Sequence, residues 1–208
     1  MEIVKLTQSN LSQAVGQASK VLKQGGVVVY PTETVYGLGA DPFNQSAVVK
    51  VLKIKERADD KGIILLVANR QQLDRIATVV PEEEQLINKY WPGPLTLILK
   101  KSKQLSELIS GGRQSIAVRQ SKHHFVTELF RLYDQPLIST SANLTGQTSC
   151  YTIEEVLEQF KGKTNIPDLI IDAGRLPKKP PSTIVEIIDR QINILRQGEI
   201  VISDINNV

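Results

Sequence analysis

Hydrophobic positions recur along this chain with two periods, and the alternation between them predicts strands interleaved with helices. Ile3 to Leu6 reads as a first strand. From Leu11 to Lys23 the apolar residues Leu11, Val15, Ala18, Val21 and Leu22 fall at helical spacing, and Gly25-Gly26 stops the helix. Val27 to Tyr30 is a continuous apolar run, the pattern of a buried strand. A second helix starts near Asn44 and buries Ala47, Val48, Val51 and Leu52. Ile63 to Ala68 is another apolar strand, after which Asn69 caps a short helix carrying Leu73 and Ile76. Pro81 followed by Glu82, Glu83 and Glu84 suits a first helical turn.

Trp91-Pro92-Gly93-Pro94 demands a sharp turn, and Leu95 to Leu99 then alternates as a strand does. Ile116 to Arg119 and Pro136 to Thr140 are further strands, with a helix over Phe125 to Tyr133 between them. Thr152-Ile153-Glu154-Glu155 is a capping box that opens a helix to about Phe160. Leu169 to Asp172, Thr183 to Ile188 and Ile192 to Arg196 close the chain with strands. Early alternation followed by clustered strands predicts an α/β protein with a mixed sheet, built as a single domain over 1–208.

Composition narrows the function classes. The 208 residues are 41% hydrophobic and 23% charged, as in ordinary globular proteins. A net charge of +3 permits an anionic ligand without implying nucleic acid. No apolar run approaches the roughly 20 residues a membrane span needs, and the first residues do not read as a signal peptide. Cys150 is the sole cysteine, which excludes an internal disulfide and fits a cytoplasmic location. The two histidines, His123 and His124, are adjacent, without the spacing of a helical zinc pair or of a Ser-His-Asp site. Chemistry by positioning and charge is what remains.

Three polar clusters stand out, two after predicted strands and one at the end of the second helix. The first is Pro31-Thr32-Glu33-Thr34-Val35-Tyr36-Gly37-Leu38-Gly39, where hydroxyls and glycines stand beyond a strand end, the usual ligand position in open α/β sheets. The second is Lys55-Glu56-Arg57 with Lys61. If the helix stops near Ile54, Lys55 and Arg57 face one ligand; if it continues, they are a solvated basic helix end. The third is Ser139-Thr140-Ser141-Ala142-Asn143, which serves either as a phosphate-binding turn or as a plain strand end. Arg119, Ser182 and Arg196 add further edges. Gly37 to Pro42 lacks the third glycine of a dinucleotide motif, and Gly162-Lys163-Thr164 lacks the leading glycine of a P-loop.

Taken together, these segments resemble the YrdC-like family, in its short form. The carrying residues are Pro31 to Gly39, Lys55-Glu56-Arg57, Pro92-Gly93-Pro94-Leu95-Thr96, Ile116-Ala117-Val118-Arg119, Ser141-Ala142-Asn143 and Pro181-Ser182-Thr183-Ile184-Val185. The resemblance implies a twisted open mixed β-sheet flanked by helices, with a large concave basic surface. It also implies synthesis of threonylcarbamoyl-adenylate and pyrophosphate from L-threonine, bicarbonate (or CO2) and ATP. Mg²⁺ would be carried by the ATP phosphates, with no protein metal site. A downstream transferase would pass the threonylcarbamoyl group to tRNA, and weak tRNA or double-stranded RNA binding could coexist.

Residue by residue, the resemblance implies that Thr34, Arg119 and Ser182 hold threonine. Lys55 and Arg57 would face carbamate and phosphates, with Lys61 nearby. Thr140, Ser141, Asn143 and Arg196 would hold the nucleotide. Glu33 is left outside the catalytic set. Ala58, Gly62 and Gln120-Ser121 stand where the family often has prolines, which implies looser loops at the cleft. Two alternatives stay open: a paralogue of the same fold with another or weaker activity, and an RNA-binding or ribosome-maturation protein.

Overall fold

A computed structural model of the chain describes residues 1–56 and 62–201. In order these form β1 (Glu2–Lys5), α1 (Leu11–Lys23), β2 (Val28–Pro31), β3 (Tyr36–Gly39) and α2 (Gln45–Lys55). Then come β4 (Ile64–Leu66), α3 (Arg70–Ile76), β5 (Ala77–Thr78), α4 (Pro81–Tyr90) and β6 (Leu95–Lys101). Next are α5 (Glu107–Ser110), β7 (Ser115–Arg119), α6 (His124–Leu132), β8 (Leu137–Ile138) and β9 (Thr140–Ser141). The last are α7 (Ile153–Phe160), β10 (Leu169–Asp172), β11 (Thr183–Ile188) and β12 (Gln191–Arg196).

The strands lie in two mixed sheets, where the sequence predicts one. The first runs β1-β10-β2-β3-β9; the second runs β12-β11-β6-β7-β4-β8, with β5 also on β6. The division falls inside the single strand expected over Pro136 to Thr140. Ile138 pairs with Leu65 in the second sheet, whereas Thr140 pairs with Leu38 in the first. Ser139 sits at the crossing, and its N–H donates to the Ile64 carbonyl at 2.8 Å. A hydrophobicity pattern carries no mark of such a change of partner, because both halves remain extended and buried.

The apolar run of β2 is buried on both faces, as its composition predicts. Val28 and Tyr30 join Leu22, Val126 and Leu129 in the cluster beneath α1 and α6. Val27 and Val29 face the other way, into the larger core with Val48, Leu97 and Val118. Fully burying a side chain of this size contributes about 1.5–3 kcal/mol. Caps set the helix starts. Asn44 accepts from Ala47 N–H, Asn69 from Gln72 N–H, and Thr152 and Glu155 form the reciprocal box at α7. Helix α2 stops at Lys55, with Glu56 left-handed at φ 48°. That stop makes Lys55 the last helical residue of α2.

Candidate active site

A cavity of about 470 Å³ opens where β2, β7 and β9 end and β11 begins. Its first wall comes from the turn between β2 and β3. Thr32 Oγ1 donates to the Val35 carbonyl at 2.6 Å and accepts from the Thr34 and Val35 amides, a local turn that fixes both threonines. Thr34 Oγ1 stands 3.1 Å from Thr32 Oγ1. Since the Thr32 proton is committed to Val35, Thr34 donates in this pair, and its remaining lone pairs face the cavity as acceptors.

Arg119, the last residue of β7, forms the second wall. Its Nη1 lies 3.0 Å from Glu33 Oε1, and both side chains are 7% exposed. The other oxygen of Glu33 accepts from Ser121 Oγ at 2.6 Å. Glu33 Oε1 lacks a well-aligned hydrogen bond, so its contact with Arg119 is ionic more than directional. Arg119 Nε is buried and has no hydrogen-bond partner. A guanidinium neutralised on one side and unsatisfied on another is prepared for a bidentate carboxylate.

The third wall is the start of β11. Ser182 Oγ lies 2.8 Å from Thr96 Oγ1 and accepts from Arg196 Nη2 at 3.0 Å, and the Ser182 carbonyl accepts from the same guanidinium. Burial lowers the Arg196 pKa from its ordinary value, and the charge of Arg119 adds to this. An anion placed between them would relieve both costs. Lys179 completes a lining that holds three cationic side chains, many hydroxyls and, among the described residues, no carboxylate.

Of the residues singled out in the sequence, Thr34, Arg119, Thr140, Ser141, Ser182 and Arg196 line this cavity. Lys55 and Asn143 are brought beside it but not into its lining. Lys55 is 3% exposed, and its ammonium donates to the carbonyls of Ser141 at 2.5 Å and Asn143 at 2.6 Å. Asn143 donates to the carbonyls of Leu144 and Gln147, while its own Oδ1 is buried without a partner. Arg57 and Lys61 lie outside the described residues, as does Ala58.

Ser139, which the sequence places in a candidate cluster without a role of its own, also lines the cavity, as do Ser149, Tyr151 and Lys179, which the sequence reading does not single out. Lys179 had a signal in the exposed Lys178-Lys179-Pro180-Pro181. Ser149 and Tyr151 carried none. No group of three His, Cys, Asp or Glu side chains converges as a metal cluster among the described residues. No described helix is long and apolar enough to cross a membrane.

Lys55 therefore acts on the loop from within. Replacing it with methionine keeps the stem but strips two charge-assisted hydrogen bonds, each worth about 1.5–3 kcal/mol. Lys55→Met is expected to lower stability by about 3–6 kcal/mol, measured by denaturant unfolding.

Comparison with known proteins agrees with this geometry. The Sua5–YciO–YrdC family model, described as telomere recombination, matches residues 20–198. A protein of Vibrio vulnificus named threonylcarbamoyl-AMP synthase is 46% identical over 194 residues, covering 91% of this chain and 99% of that relative. The crystal structure of Pyrococcus abyssi Sua5 complexed with L-threonine superposes with a TM-score of 0.88 at 33% identity, covering 99% of this chain. A double variant of the same Sua5 gives a TM-score of 0.92 at 33% identity, covering all of this chain. This chain spans 59% and 60% of those two longer chains. Sequence and fold together establish that the chain belongs to the Sua5–YciO–YrdC family.

Proposed function

We propose that this protein is a threonylcarbamoyl-AMP synthase. It joins L-threonine, bicarbonate or CO2 and ATP into L-threonylcarbamoyladenylate, with release of pyrophosphate. The carrying observation is the cavity wall, where two guanidiniums and an ammonium stand among hydroxyls with, among the described residues, no carboxylate lining it. Such a wall suits several anionic groups at once: an amino-acid carboxylate, a carbamate and the phosphates of a nucleotide.

The chemistry asks for alignment and charge stabilisation. The threonine amine takes up CO2 as a carbamate, and a carbamate oxygen attacks the α-phosphorus as pyrophosphate leaves. Arg119 holds the threonine carboxylate by its fork, Thr34 accepts from the substrate nitrogen, and Ser182 supports the same substrate. Thr140, Ser141 and Arg196 hold the nucleotide and stabilise charge on the phosphates. Lys55 and Asn143 shape the loop that carries Ser141, and the family resemblance assigns Arg57 and Lys61 to the carbamate and phosphates. Mg²⁺ arrives on ATP and keeps most of its waters. The product feeds a transferase that modifies adenosine in tRNA, in the cytoplasm, and any tRNA affinity of this protein is weak and secondary.

Purified protein with ATP, Mg²⁺ and bicarbonate is expected to release pyrophosphate only when L-threonine is present. L-Serine should be a much weaker substrate, because it lacks the methyl group that the apolar lining at Val35, Ile64 and Ala117 would cover. Threonine-independent release, or equal rates with both amino acids, would contradict this reading.

A further inference from the structure

Behind the cavity stands a tyrosine that the chemistry above leaves unused. Tyr30 of β2 is fully buried and does not line the cavity. Its Oη–H donates to Ser139 Oγ at 2.8 Å, and Ser139 does line it. A serine hydroxyl has one proton to give and lone pairs to accept with. One lone pair is taken by Tyr30, so the Ser139 proton is left to donate. Among the described residues Ser139 Oγ has no other hydrogen-bond partner, and its open side is the cavity.

The strand opposite is built around this ring. A Cβ at Gly39 would stand 2.5 Å from Tyr30 Cε1, and one at Gly37 would stand 3.3 Å from Cζ. The glycines of the Tyr36-Gly37-Leu38-Gly39 strand thus admit the tyrosine, and Phe125 stacks on it with centroids 6.4 Å apart. Desolvation holds the phenol well above its ordinary pKa, so it remains a donor throughout the neutral range. The Ser139 N–H donates to the Ile64 carbonyl, and β4 lies beside β7 with Ile64 opposite Ala117, so Ser139 stands next to the strand that ends in Arg119.

We propose that Tyr30 is a positioning residue: through Ser139 it aims a hydroxyl proton at an anionic oxygen of the threonine substrate, carboxylate or carbamate. This inference rests on the substrate reading above. It also gives the two glycines a functional reason, since a bulkier residue at either would displace the ring that orients Ser139.

Tyr30→Phe keeps the ring and removes only the oxygen. It is expected to raise KM for L-threonine about tenfold, with kcat changed by about threefold at most and KM for ATP unchanged. Ser139→Ala should raise the threonine KM at least as much, and the double variant should be no worse than Ser139→Ala alone, because Tyr30 acts only through the Ser139 hydroxyl. A merely structural tyrosine would lower Tm and add its effect to that of Ser139→Ala. Additive effects, or an unchanged threonine KM in Tyr30→Phe, would overturn the proposal. Ser139→Ala does not disturb the ring and tests the idea alone: an unchanged KM there overturns it even if Tyr30→Phe fails to fold. Wild-type protein without threonine-dependent turnover would overturn the substrate reading, and this inference with it.

Discussion

Arg119→Ala is expected to cut kcat/KM for L-threonine by at least about 100-fold, because the fork that would hold the carboxylate disappears. The same substitution should destabilise the fold by about 3–5 kcal/mol, since Glu33 is left buried without its counter-charge. Glu33 and Arg119 are each 7% exposed, so solvent screens their contact little. Two further variants separate the effects. Arg119→Lys keeps the charge but not the planar fork, and should recover stability more than turnover. Glu33→Gln added to Arg119→Ala should restore stability and leave turnover low. Steady-state kinetics beside denaturant unfolding reads both quantities. Turnover in Arg119→Ala close to wild type would remove Arg119 from the substrate site.

Gly198→Ala is the second large effect, and its cause is space, not backbone angle. A Cβ at Gly198 would stand 2.1 Å from the Pro181 carbonyl oxygen and 2.6 Å from the Thr183 amide nitrogen. Those are backbone atoms that no side-chain rotation can clear. The segment is also tied down: Gly198 and Ile200 N–H both donate to Thr183 Oγ1, and Glu199 N–H donates to the Pro181 carbonyl. A methyl group must therefore push the 196–200 segment off the Ser182 loop and break the grip of Arg196 on Ser182. The expected cost is about 1–3 kcal/mol of stability, with kcat/KM for ATP lowered about 10- to 100-fold. Unfolding and ATP-dependent kinetics measure the two. Unchanged kinetics would mean that the Ser182 and Arg196 geometry does not matter to catalysis.

Much of the architecture was legible because local and global preferences agree. Helix α1, with its apolar stripe and Gly-Gly stop, and strands β10 and β11 lie where periodicity puts them. The capping box places the start of α7. Strand β3 was read only as part of a ligand turn, because Tyr36-Gly37-Leu38-Gly39 has two glycines and little intrinsic strand preference. Pairing with β2 on one side and β9 on the other makes it a strand. The change of sheet at Ser139 was invisible for a related reason: strand partners are a tertiary property.

The site divided along similar lines. Arg119 and Arg196 end strands, Thr34 follows one and Ser182 directly precedes one, so strand prediction puts each at a strand terminus, while their meeting at one rim is seen only in the fold. Lys55 and Asn143 carry the same chemistry in the sequence, but the structure turns them toward backbone carbonyls of the 141–147 loop. A sequence reports that a lysine is present; whether its ammonium meets ligand or main chain depends on the helix stop at Glu56. Glu33 shows the converse. Its carboxylate looked chemically idle, and burial against Arg119 and Ser121 makes it the group that orients the proposed substrate anchor.

The most direct test of the central claim is mass spectrometry of the product formed with ATP, Mg²⁺, L-threonine and carbon-13 bicarbonate. The account predicts a threonylcarbamoyl-adenylate that carries the heavy carbon and forms together with pyrophosphate, and that is absent when threonine is omitted. Pyrophosphate without a labelled adenylate, or an adenylate lacking the heavy carbon, would contradict it.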